Sequence, residues 1–99
     1  MKHFLVEITY LVPFESLDDI RPAHRSFLQT GYDKGWLLMS GPLVPPIRAF
    51  VVARAPEMAD LQSFFANDPY QIEGKATYRF FEYEPVKRQG FLEDWIAGK

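Results

Sequence analysis

The sequence predicts an α+β domain in which one antiparallel sheet carries two helices on a single face. Three observations predict it. Apolar residues alternate with period two in segments near the start, the middle and the end of the chain. Two intervening segments repeat at helical spacing. Proline or glycine stands at most of the junctions.

Residues 3–12 form the first expected strand, with Phe4, Val6, Ile8, Tyr10 and Val12 on one face. Pro13 has no N–H for a ladder and ends it. Residues 16–34 read as a helix. Leu17, Ile20, His24, Phe27, Leu28 and Gly31 make its apolar stripe, and Ser16, Asp18 and Asp19 are its candidate N-caps. Pro22 is tolerated only in a first turn, so the regular helix is expected from about that residue. Residues 36–40 are a short strand, 41–47 a proline-rich loop and 48–54 a third strand. Pro56 is expected to open a second helix over 56–67, with Met58, Leu61, Phe64 and Phe65 inward. Asn67-Asp68-Pro69 ends it, because a residue before proline is pushed away from helical geometry. Residues 75–84 are the fourth strand, and 89–97 a short terminal helix with Phe91, Leu92, Trp95 and Ile96 on one side.

The order β-α-β-β-α-β is the ferredoxin-like arrangement. Residues 1–87 make the domain and 88–99 a C-terminal extension. Two helices cover only one sheet face. Yet Leu5, Leu11, Phe50, Val51, Val52, Ala53, Tyr78, Phe80, Phe81 and Tyr83 put apolar groups on both. The simplest cover for the second face is another copy of the chain, giving a homodimer or a larger homo-oligomer. A hydrophobic content of 47% in only 99 residues points the same way.

Composition excludes several classes. The formal charge is -2 and the basic residues are interleaved with acids, so nucleic acid is not an expected partner. Without cysteine there is no disulfide, thiol nucleophile or cysteine–zinc site. Two histidines are too few for a typical histidine-rich metal site, and no phosphate-binding glycine loop occurs. Neither a signal peptide nor a membrane span is read, which makes a cytoplasmic protein the default expectation.

His24 is the first residue suited to chemistry. Imidazole is the common acid–base group near neutral pH, and the stripe aims this one at the sheet. A hydrogen-bonded core histidine would occupy the same position. Asp68 follows the second helix, where a carboxylate opposes the local dipole and needs donors or a cation. Read alone, Asn-Asp-Pro is an ordinary turn. Ser40-Gly41-Pro42 presents a hydroxyl and open backbone at a strand end, and is equally a plain turn. Arg21 can reach an anionic ligand or simply be solvated.

Arg21-Pro22-Ala23-His24, Gly35-Trp36-Leu37-Leu38-Met39-Ser40-Gly41-Pro42, and Asn67-Asp68-Pro69-Tyr70 with Gly74, in that order and spacing, resemble the YciI-like family over residues 3–87. The resemblance implies a ferredoxin-like fold paired as a dimeric α+β barrel. It also implies a catalytic His–Asp pair in a cleft, falling here on His24 and Asp68. Arg21, Ser40, Gly41 and Pro42 become the expected substrate contacts. The implied activity is of lyase, isomerase or dehydrochlorinase type, on a small polar or aromatic metabolite, with no cofactor and no metal. Two other readings stand beside it. One is a non-catalytic small-molecule-binding or accessory module; the other is an oligomer in which His24 and Asp68 only satisfy each other.

Overall fold

A computed structural model describes all 99 residues. Four strands, β1 (Lys2–Tyr10), β2 (Leu37–Pro42), β3 (Arg48–Ala55) and β4 (Ala76–Tyr83), form one sheet in the order β2-β3-β1-β4. The pairings are antiparallel: Val6 lies opposite Val51 of β3 and Phe80 of β4. This is the ferredoxin-like topology that the element order predicts. Helix α1 (Arg21–Asp33) links β1 to β2, and α2 (Met58–Phe65) and α3 (Pro69–Ile72) link β3 to β4. A 3-10 turn at Phe14–Leu17 precedes α1, and a second at Gly90–Leu92 runs into α4 (Glu93–Ile96).

The core lies between helices and sheet. Phe4, Val6 and Ile8 of β1, with Ala49, Val51 and Ala53 of β3, meet Leu28 of α1 and Leu61 and Phe65 of α2. Alternation along each strand puts these residues on one face, as the sequence pattern requires. Gly31 marks the tightest approach: a Cβ there would stand 2.7 Å from both Leu37 Cδ1 and Phe64 Cζ, so only hydrogen fits.

Several local expectations are corrected. Helix α1 does begin where Pro22 suggested, at Arg21, with that proline in its first turn where its missing N–H costs nothing, but its caps differ. Its N-cap is Ile20, without a side-chain cap, and Asp18 pairs with Arg21 instead of capping. Helix α2 begins at Met58, two residues beyond Pro56, and the Asp60 carboxylate accepts from the Glu57 N–H at 3.1 Å. Strand β2 extends through Pro42, which an edge strand tolerates. Phe91, expected on a buried side, is exposed.

The opposite sheet face carries Leu5, Phe50, Val52, Phe81 and Tyr83, with Glu7 between Arg48 and Arg79 at 3.5 and 3.7 Å. No helix of residues 1–87 covers it. The C-terminal extension folds onto one end: Arg54 donates from Nε to the Gly35 carbonyl and from Nη1 to the Trp95 carbonyl, both at 2.7 Å. The Arg54 guanidinium stacks 4.1 Å from the Trp95 ring centroid. No helix is long and apolar enough to cross a membrane.

Candidate active site

His24 stands one turn into α1, on the face turned toward α3 and the sheet. Its Nδ1 lies 2.8 Å from Asp68 Oδ1. Asp68 ends the α2 connection, and its own side chain begins α3. Its Oδ1 accepts the Tyr70 backbone N–H at 3.1 Å, and its backbone is the N-cap of Pro69–Ile72. The expectation that this carboxylate sits against a helix dipole is therefore incomplete. It closes α2 and also caps the start of the next turn, where a carboxylate is favoured.

Tyr78 of β4 supplies a third donor, its hydroxyl giving a hydrogen bond to Asp68 Oδ2 at 2.6 Å. The carboxylate is fully buried, with 0% of its side chain exposed. Such burial is sustainable only because both oxygens are bonded. Burial, then the Asp68 charge, pushes the Tyr78 phenol far above its ordinary value, so it remains a donor at every working pH.

These bonds set the imidazole. Asp68 is an acceptor on both oxygens, so Nδ1 of His24 is the donor, and the neutral ring carries its lone pair on Nε2. Tyr70 fixes the ring plane: its ring stacks on His24 with centroids 3.8 Å apart and planes within 5°. The histidine side chain keeps 12% of its surface exposed. That surface opens on a cavity of about 220 Å³.

The cavity brings most of the expected contacts together. Arg21, His24, Ser40, Gly41 and Pro42 line it, with Tyr10, Phe14, Arg25, Leu28, Tyr70 and the strand residues Ile8, Ala49 and Val51. Asp68 stands behind His24 and not in the lining. Ser40 Oγ is 2.7 Å from the Tyr32 hydroxyl. A Cβ on Gly41 would meet nothing within 4 Å, so the backbone there lies open to a ligand. Arg21 is largely committed elsewhere: it pairs with Asp18, donates to the Phe14 carbonyl at 2.6 Å and lies 4.0 Å over the Phe14 ring centroid.

Burial pushes the Tyr10 phenol up to about 12, and the phenol of Tyr70 is raised for the same reason. Both are neutral hydrogen-bonding groups in the wall. Sequence reasoning passed over Tyr10, Arg25, Tyr70 and Tyr78. Tyr70 had two signals: it stands in the motif that carries the family resemblance, and it follows Asp68 by two residues, the spacing of an Asx-type cap. No group of three or more His, Cys, Asp or Glu side chains gathers anywhere in the molecule.

The structure is similar to 5-chloro-2-hydroxyhydroquinone dehydrochlorinase of Burkholderia phenoliruptrix AC1100, solved with 2,5-dihydroxybenzoquinone. The TM-score is 0.68 at 19% identity, covering 83% of this chain and 93% of that one. It is also similar to an antibiotic biosynthesis monooxygenase, with TM-score 0.57 at 14% identity over 86% of this chain and 99% of that one. At such identities the likeness establishes the fold. No curated protein sequence matches the chain. The family model of the YCII-related domain matches residues 3–84, which hold the four strands apart from Lys2, and the chain therefore belongs to the YCII-related domain family.

Proposed function

We propose that the cavity beside His24 is the active site of a lyase or isomerase acting on a small polar or aromatic ring compound. In this scheme Nε2 of neutral His24 removes a proton from the bound ring compound. The released electron pair either expels a leaving anion, as in dehydrochlorination, or reforms a double bond at a neighbouring position. The imidazolium then returns its proton to product or solvent. Asp68 holds the tautomer and faces the positive charge that develops on the ring. No step in the scheme calls for a cofactor.

One observation carries this reading. A histidine whose Nδ1 is engaged by a buried, three-donor carboxylate lines an open cavity. The fold shared with a dehydrochlorinase suggests the first compounds to try. Solvent deuterium uptake and anion release would be followed by NMR across a panel of hydroxylated quinols and quinones. His24→Ala is expected to lose about 10²- to 10⁴-fold of any turnover found, the usual share of general acid–base catalysis. Equal turnover in that variant removes the general base. A compound that binds at the cavity and emerges unchanged identifies a binding module instead.

A second copy is proposed on the open sheet face. Phe81 and Tyr83 leave 40% and 42% of their surfaces exposed there, beside Leu5 and Val52 in register. Apolar groups gathered in this way favour association. Analytical ultracentrifugation is expected to give a dimer at micromolar concentration, and Phe81→Glu to shift it to monomer. A wild-type monomer there overturns the pairing.

A further inference from the structure

The cavity has a charge character that the proton-transfer scheme does not use. Of its lining residues three carry basic side chains, Arg21, Arg25 and His24, and none is acidic. This is notable in a chain with a net charge of -2. Arg21 donates from Nη1 to the Asp18 carboxylate and from Nη2 to the Phe14 carbonyl, and its Nε is buried without a partner. Arg25 differs. It lies four residues further along α1, so it emerges on the same helix face at the cavity wall. It makes no hydrogen bond and no ion pair with any side chain, and it is exposed. Both guanidiniums also act on the Tyr70 phenol, where they oppose the larger upward push of burial. The phenol and the two cations thus share one corner of the cavity.

An unpaired arginine at the mouth of a cavity without acids is placed for a planar oxyanion. Guanidinium matches a carboxylate in a two-bond fork. The volume sets the other limit. A cavity of about 150 Å³ accommodates benzene, so about 220 Å³ suits one six-membered ring with a few substituents. We propose that the substrate class is a six-membered ring bearing a carboxylate, with Arg25 as the residue that selects the charge. Arg25 grips the carboxylate at the mouth, and the ring lies inward against Tyr10 and Tyr70, within reach of His24. This inference rests on the reading of the cavity as the substrate site.

The test uses two probes of similar shape and different charge, 2,5-dihydroxybenzoate and 2,5-dihydroxybenzamide, titrated into the full chain and followed by NMR and calorimetry. The acid is expected to bind about 10- to 100-fold more tightly than the amide, the usual scale of a charge-assisted hydrogen bond. Added salt should erode that preference. Arg25→Gln should reduce it to less than about 3-fold, and Arg25→Lys should retain part of it. Arg25 has no internal partner, so an unchanged melting temperature is expected and serves as the folding control. Equal binding of the two probes, no binding of either, or a preference that survives Arg25→Gln overturns the assignment. His24→Ala separates the two proposals. A charge preference kept in that variant, with turnover also intact, sinks the general base and leaves the role of Arg25 standing.

Discussion

The molecule contains two histidines, both largely buried, in opposite circumstances. His24 has a buried carboxylate on Nδ1, a tyrosine stacked on its face and a cavity beside it. His3 lies on the other sheet face, under the C-terminal extension. Its ring is 6.4 Å from that of Trp95 and tilted by 56°, and its neighbour in register is Arg54. Its Nδ1 is buried without a hydrogen-bond partner. Burial and a neighbouring cation disfavour the charged form of His3. Burial alone thus makes a histidine inert. The carboxylate, the fixed ring plane and the open space beside it make one fit for proton transfer.

Three changes would break or sharpen that contrast, and the largest effect belongs to Asp68→Asn. The amide can donate to Nδ1 and drive the ring proton onto Nε2, which reverses the tautomer. Turnover of an identified substrate should fall by about 10²- to 10⁴-fold, measured at saturating substrate, with the circular dichroism spectrum retained. Unchanged kcat would show that His24 needs its carboxylate no more than His3 does.

Tyr78→Phe comes next. It deprives Asp68 Oδ2 of its donor while keeping the ring in the core, so a buried acceptor is left unpaired. Urea unfolding should show a loss of about 1–3 kcal/mol. No loss would mean that solvent reaches the carboxylate.

The smallest effect is expected at His3. Desolvation holds its pKa below the ordinary 6.5, against the pull of the nearby Ile96 backbone. The unfolded chain therefore takes up that proton first as pH falls. The contribution of the neutral ring is complete above about 6.5 and is lost on going down through that value toward the folded pKa. His3→Gln should flatten the stability profile between about pH 7 and 5, read from urea midpoints at each pH. The same slope in the variant would assign the titration elsewhere.

The contrast also explains what was legible in the chain. Alternation in residues 3–10 and the 3–4 spacing of Ile20, His24, Phe27 and Leu28 follow from local geometry, so strand, helix and the inward aim of His24 could be read directly. The third helix could not. Four residues carry no periodicity, and the Asn-Asp-Pro that signals a stop is equally an N-cap followed by a first-turn proline. The donors around Asp68 were hidden for another reason. Tyr78 reaches it only because β4 runs alongside β1 beneath the helices, a relation ten residues away in sequence and set by tertiary packing. Arg25, one position past His24, has no pattern around it, and only the cavity wall gives it meaning. The extension misled at Phe91 because a short amphipathic stretch does not reveal which of its aromatics docks. Trp95 does so through Arg54.

Asp68 gathers α1, α3 and β4 onto two oxygen atoms. The same carboxylate therefore serves architecture and, in the proposed scheme, reactivity as well. Even without the proposed chemistry the fold would have a use for this residue, whereas the imidazole, on the rim of the hollow, supplies one of its three donors. If the proposed scheme holds, the ring at position 24 is then the better sign of a working enzyme among relatives, and the aspartate by itself is a sign of shared architecture.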